Sequence, residues 1–287
     1  MNKVIIEKNG PVKTVWMNRP DKRNALDSEL LNEMIAALQA PVAAEDRVLV
    51  IRGKGDVFCA GLDMAERSKT ANAGKASGIE VMLRAIELCP LPVVAVVQGD
   101  AIAGGNELAL HCDLVVASQK ARFGMSLAQV GLAPNWFLAK KLIEVLGPVT
   151  TREMLLLGDP LPSTKLYALG LITRCVPAAE LEAEATKVID RLAANAPLSL
   201  KAMKGLTVRQ LEFRDAIKHD DIDALVRAAM QSQDAQEGMK AMEAPAAHEG
   251  HQAAPAHGEG ATHGEGAAPA HEAPTHAVEP APAHGGH

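Results

Sequence analysis

The sequence predicts an α/β architecture of parallel strands joined by crossover helices, and two observations carry that reading. Short β-branched runs alternate with stretches of helical periodicity along the first two thirds of the 287 residues. One of those runs, Val93-Val94-Ala95-Val96-Val97, has no polar member, as expected of a strand covered on both faces. In chain order the strands are expected at residues 12–17, 48–51, 93–97, 114–117 and 172–176, and the helices at 28–38, 78–88 and 180–194. Gly99 marks where the apolar strand gives way to a turn. From Pro197 the strand signals stop. Helical patterns take over at 198–213 and 222–242, the second with Ala224, Leu225, Ala228, Ala229 and Met230 along one apolar face that something must cover. From Ala244 to His287 the composition changes to Ala, Pro, Gly, Glu and His with near-repeats, a mixture too poor in large apolar residues to offset the entropy of folding. We therefore divide the chain into a core at 1–196, a helical region at 197–243 and a disordered tail at 244–287.

Composition narrows the function. The net charge of −6 resides at residues 243–287, which hold six Glu and no Lys or Arg, so residues 1–242 carry 29 acids and 29 bases. With seven aromatic residues and no basic stripe, the chain lacks both the electrostatic and the stacking component of nucleic-acid binding. No run approaches membrane-spanning length, and the three-residue apolar run Val4-Ile5-Ile6 between Lys3 and Glu7 is too short for a secretory signal. Cys59, Cys89, Cys112 and Cys175 stand singly, without zinc or dithiol spacing, as buried thiols of a reducing cytoplasm would. Eight of the ten histidines lie in the tail (248, 251, 257, 263, 271, 276, 284 and 287) at irregular spacing. Such a segment serves as a solubilising spacer or binds nickel, copper or zinc weakly, without fixed geometry.

Two segments carry chemistry. Gln98-Gly-Asp-Ala-Ile-Ala-Gly104-Gly105-Asn106-Glu107 is a glycine-rich turn feeding a helix with one acid in its first turn. Glycines let backbone approach a ligand closely, and free N–H groups at a helix start receive negative charge. Taken alone, the same residues also describe an ordinary tight turn. A second small-residue loop, Phe58-Cys59-Ala60-Gly61-Leu62-Asp63, follows the strand at 48–51 and breaks that tie.

These two loops, together with Met17-Asn-Arg-Pro-Asp-Lys22-Arg23-Asn24-Ala25-Leu26, resemble the crotonase (enoyl-CoA hydratase/isomerase) superfamily. Ala121–Gly124, Val130–Pro134 and the Ser232–Ala241 stretch continue in register, so the resemblance spans residues 1–242. It implies a spiral of ββα repeats and a thioester oxygen held between the backbone N–H groups of Leu62 and Gly104, each worth about 3 kcal/mol to a developing enolate. It further implies that Glu107 moves protons, that Lys22 and Arg23 lie near the CoA phosphates with backbone contacts near Ala25, and that Ala60 and Leu127 flank the substrate. No metal or redox cofactor is needed, and the helical region builds a homo-oligomer, a trimer or a dimer of trimers. A helix folded back on its own core is the alternative there.

The departures matter as much. Family hydratases carry a second glutamate where this chain has Leu127, which leaves Glu107 to do both proton transfers of a hydration. A hydratase with one carboxylate ranks first, ahead of an isomerase carrying a proton between two carbons and of a crotonase homologue that binds acyl-CoA with little turnover. The tail also stands where the family has a basic, aromatic-ended C-terminus, so part of the acyl-CoA lid is expected to differ. Among secondary candidates, Asp63 is expected to cap a helix and Asp113 and His111 to be structural, while Asn106 is able to donate to substrate although nothing in the spacing demands it. Lys201 and Lys204 are expected to be solvated or to meet CoA phosphates across a subunit boundary.

Overall fold

The polar-free run at residues 93–97 lies at the heart of the molecule. The computed structural model describes residues 2–63 and 78–243. In chain order it contains β1 (Val4–Asn9), β2 (Val12–Met17), α1 (Ser28–Gln39), β3 (Val48–Gly53), α2 (Gly78–Leu88), β4 (Val93–Val97), β5 (Ala101–Ile102) and α3 (Gly104–His111). There follow β6 (Leu114–Ser118), β7 (Arg122–Gly124), α4 (Trp136–Arg152), β8 (Leu161–Pro162), α5 (Ser163–Ala168), β9 (Arg174–Val176) and α6 (Leu181–Ala193). Three helices close the described chain: α7 (Pro197–Leu211), α8 (Asp220–Met230) and α9 (Gln233–Glu243).

The main sheet has the order β1-β2-β3-β4-β6-β9. Only the β1–β2 hairpin is antiparallel; the other four pairings are parallel. Alternate residues of the parallel strands feed two apolar layers. Val48, Val50, Val94, Val96 and Val116 pack on Leu181, Ala185 and Ile189 of α6. Leu49, Ile51, Val93, Ala95, Val97, Val115 and Ala117 face the main core with α1, α2 and α3. A second sheet, β5-β7-β8, stands apart and carries the turn into α3. Its two- and three-residue strands give no periodic signal in the sequence.

Two expectations change. The apolar pattern at 222–242 is not one helix, because Ser232 ends α8 by bonding the Ala229 carbonyl and caps α9 by accepting from Ala235 N–H. The stretch after Pro134, unassigned from periodicity, is helix α4, capped by Asn135 accepting from Leu138 N–H and broken at Gly147-Pro148, where Gly147 has φ +67°. Residues 64–77 and the tail from 244 lie outside the described residues, as does the helix that Asp63 was expected to cap.

Candidate active site

The site is assembled where backbone approaches backbone too closely for side chains. Cys59 N–H donates to the Asp100 carbonyl at 3.2 Å, and Ile102 N–H donates to the Cys59 carbonyl at 3.0 Å. A Cβ on Gly105 would lie 2.1 Å from that Cys59 oxygen, so only glycine fits. Gly61, at φ +92°, packs on the same turn, and a Cβ there would come within 3.1 Å of the Gly104 nitrogen. The backbone stretches carrying the Leu62 and Gly104 amides are therefore neighbours. Neither amide donates to a protein acceptor among the described residues. Ala103, between β5 and α3, takes φ +49°, a strained conformation for a residue with a Cβ, and is held by its N–H bond to the Gly124 carbonyl at 2.8 Å.

The 17–26 stretch is stitched to this loop by a residue the sequence reading passed over. Asn24, fully buried at φ +53°, donates to the carbonyls of Lys54 (2.9 Å), Val57 (2.8 Å) and Phe58 (3.2 Å) and accepts from Arg19 N–H (3.0 Å). Arg19 binds the Ala25 carbonyl and reaches both Asp27 and Asp63. Asp63 is thus an anchor for a half-buried guanidinium. An Asn-containing turn is a recognisable signal for left-handed backbone, but its long-range partners are not readable from spacing. Lys22 and Arg23 are exposed beside this knot, while half-buried Ala60 donates its N–H to the Arg23 carbonyl at 3.0 Å.

Glu107 sits in the first turn of α3 with no exposed surface, and neither carboxylate oxygen has a hydrogen-bond partner among the described residues. Burial pushes its carboxyl well above the usual 4.5; the Lys141 charge opposes this and the Glu87 charge adds to it. His111, one turn on, is fully buried, with Nδ1 3.6 Å from Glu107 Oε2. Leu127 is half-buried against the main core and opens a short 3₁₀ turn, Ala128–Val130. Helix α9 presses on that turn so closely that a Cβ on Gly238 would lie 2.6 Å from the Val130 carbonyl oxygen.

Other expectations are corrected. Asn106 turns its amide toward the Met154 sulfur, 3.7 Å away, in the core. Lys204 is neither solvated nor free for phosphates: its ammonium donates to the carbonyls of Ile86 and Leu91 and to Asp113, tying α7 to the end of α2. Asp113 also accepts from Val93 N–H, as a structural residue does. Lys201 is exposed. A cleft of about 850 Å³ beside α2, lined by Val42, Val81, Leu88 and Phe137, includes none of Leu62, Gly104 or Glu107. No three metal-ligating side chains converge among the described residues, and the tail histidines lie outside them.

The family model described as enoyl-CoA hydratase/isomerase matches residues 7–248, most of the chain. The chain belongs to the enoyl-CoA hydratase/isomerase family. It is 31% identical to the short-chain-enoyl-CoA hydratase of Clostridium acetobutylicum over 209 residues, 71% of this chain and 80% of that one. It is similar in structure to an enoyl-CoA hydratase from Mycobacterium avium subsp. paratuberculosis, with 31% identity and a TM-score of 0.72 over 84% of this chain and 95% of that one. A methylmalonyl-CoA decarboxylase structure, 24% identical with a TM-score of 0.77, covers 84% of this chain and 94% of its own, and shows the shared fold alone. The crotonase resemblance is thus established, with its α/β fold, and the protein is an enzyme of the hydratase/isomerase family.

Proposed function

We propose that the enzyme hydrates a trans-2-enoyl-CoA with Glu107 as its single acid–base and the Leu62 and Gly104 N–H groups as oxyanion donors. The observation that carries this reading is Glu107 itself: a carboxylate with no exposed surface and no hydrogen-bond partner among the described residues, in the first turn of a helix that starts at two glycines. Ionised Glu107 takes a proton from water as the oxygen attacks C3, and the displaced electron pair moves onto the thioester oxygen between the two N–H donors. Protonated Glu107 then delivers that proton to C2. A raised pKa suits both steps, because the group must gain and lose a proton near neutral pH. Lys22 and Arg23, exposed beside the loop, would meet the CoA phosphates, and the Ala25 and Ala60 backbone would contact the substrate; the exposure of the two cations supports this. No metal or redox group takes part.

Leu127 supports a second reading. With no carboxylate on that turn, the one acid also suits moving a proton between C2 and C4 of an enoyl thioester, the isomerase reaction. For assembly, Leu198 and Leu206 of α7, Phe213, and Leu225 of α8 are each more than 60% exposed, which supports a trimer or a pair of trimers.

The test is loss of the conjugated thioester absorbance of crotonyl-CoA and of a longer trans-2-enoyl-CoA, with Glu107→Gln as control. Glu107-dependent loss supports the hydratase. Silence with both substrates, with turnover of a 3-enoyl-CoA, selects the isomerase.

A further inference from the structure

His111 lies directly behind Glu107, and its two ring nitrogens face different partners. Nδ1 is 2.8 Å from the Glu107 main-chain carbonyl oxygen and 3.6 Å from Glu107 Oε2. A carbonyl only accepts, so Nδ1 carries the hydrogen and Nε2 is left as a bare acceptor. That Nε2 is buried and unpartnered among the described residues. A cavity of about 180 Å³, large enough for several waters, is lined by His111 together with Arg84, Glu87, Lys141, Glu144 and Glu212, but not by Glu107. Phe137 stacks on the imidazole with ring centroids 5.3 Å apart and holds its plane.

We propose that His111 is a positioning residue acting through Glu107: a proton relay between its carboxylate and the charged cavity, by which Glu107 exchanges its proton with solvent while the acyl pocket stays closed. This rests on the reading of Glu107 as the proton-carrying group. A hydronium in the cavity gives its proton to Nε2 and becomes water. Nδ1 passes its own hydrogen to Glu107 Oε2, once carboxylate rotation closes the 3.6 Å gap to hydrogen-bond distance. One N–H bond forms and one breaks, the imidazole is neutral before and after, and the carboxylate becomes a carboxylic acid. The reverse sequence empties Glu107 and restores the original tautomer.

The charges around the ring suit a conduit better than a store. Burial, reinforced by Lys141 and Lys140 of α4 and opposed by Glu87 of α2 and the Glu107 carbonyl bond, lowers the imidazole pKa to about 3. A lasting imidazolium is therefore disfavoured, whereas a concerted double transfer passes through none. Glu87 is occupied by Lys141 and Arg84, and Lys140 by Asp215, which leaves His111 as the group in the cavity wall that also reaches Glu107. With Leu127 in place of a second acid, such a route lets a single glutamate be reset independently of the substrate's own proton.

The experiment follows wash-out of the α-protons of butyryl-CoA into D2O by mass spectrometry, with crotonyl-CoA hydration read in parallel, for the full chain and for H111F, H111Q, H111A and E107Q. Wash-out needs only the enolate and exchange of the Glu107 proton. One-carboxylate hydration recycles a proton taken from the attacking water. The relay predicts that H111F and H111Q lose wash-out at least tenfold more than they lose hydration, and that imidazole added to H111A restores it. Unchanged wash-out in both variants, or equal losses of wash-out and hydration with no rescue, overturns the relay alone. Wash-out absent from the parent protein, or surviving in E107Q, overturns the enolate reading and the relay with it.

Discussion

Two buried glutamates on adjacent helices have opposite fates. Glu87, near the end of α2 and 7% exposed, receives Lys141 at 2.8 Å and Arg84 at 3.2 Å. Burial alone would raise its pKa, but Lys141, with the surrounding cations and hydrogen bonding, holds the carboxyl below its usual range. Glu107, at the start of α3, has no Lys or Arg within salt-bridge distance among the described residues, only the neutral imidazole of His111, and burial wins. The first carboxylate is fixed as an anion and ties α2 to α4. On the proposed reading the second changes protonation state, and the strained backbone at Ala103 leads into its helix. A charge that is fully paired is structural, and one left unpaired in the same core is the candidate for work.

Removing each acid should separate the two roles. Glu107→Gln is expected to lower turnover about 10³-fold, the scale of a lost acid–base group. It should not destabilise the fold at pH 7: the folded state holds the Glu107 proton more tightly than the unfolded chain, so ionisation opposes folding there, and the amide removes that penalty. Chemical denaturation beside the absorbance assay checks both halves. In the parent enzyme the acidic limb of the pH–rate profile should lie well above pH 4.5, since the base must be ionised.

Lys141→Met attacks the other member of the comparison. It leaves Glu87 buried with Arg84 as its remaining ion-pair partner among the described residues, and a stability loss of about 3 kcal/mol is expected from stranding a buried charge. Turnover per folded molecule should stay within a few-fold, because Glu87 only flanks the proposed reaction. A loss of activity as large as that of Glu107→Gln would show that the paired charges also serve the chemistry.

The neutral imidazole beside Glu107 adds a pH signature. His111 has a folded pKa near 3, depressed from 6.5, so between those values the unfolded chain binds a proton that the folded chain refuses. Its contribution to stability is therefore complete above pH 6.5 and is lost as pH falls toward 3. By pH 4.5 about 2–3 kcal/mol should be gone relative to pH 7. Urea denaturation at the two pH values should show a steeper fall for the parent protein than for His111→Phe. Equal slopes would mean that the imidazole is not held neutral.

Much of this fold was legible because burial leaves a trace in residue type. Val93–Val97 and Gly78–Leu88 have the bounds that their patterns predict. The two loops announced themselves through glycines, at least one of which, Gly105, has no room for a side chain. What was not legible depends on partners far away in sequence. Lys204 reads as a surface cation until its three acceptors are brought together, and Asn24 reads as an ordinary turn residue until three carbonyls converge on it. That the Glu107 carboxylate has no hydrogen-bond partner among the described residues was invisible for the same reason, since spacing shows which residues an acid has beside it on its helix but not which ones stay away.

The smallest expected effect concerns the turn that lacks an acid. Leu127→Glu would set a second carboxylate on the half-buried 3₁₀ turn against which α9 packs, and its burial should lower stability by about 1–2 kcal/mol through unmatched desolvation. If Glu107 already orients the attacking water, a second acid able to protonate C2 should raise hydration several-fold, because the two transfers no longer fall to one group. Initial rates with crotonyl-CoA, compared at equal folded concentration, decide the matter. A gain shows that the turn faces the reacting carbons and that the single-glutamate site works below its capacity. A loss confined to kcat, with unchanged substrate affinity, would mean that an added charge at position 127 competes with Glu107 and that the chemistry depends on an apolar side chain there.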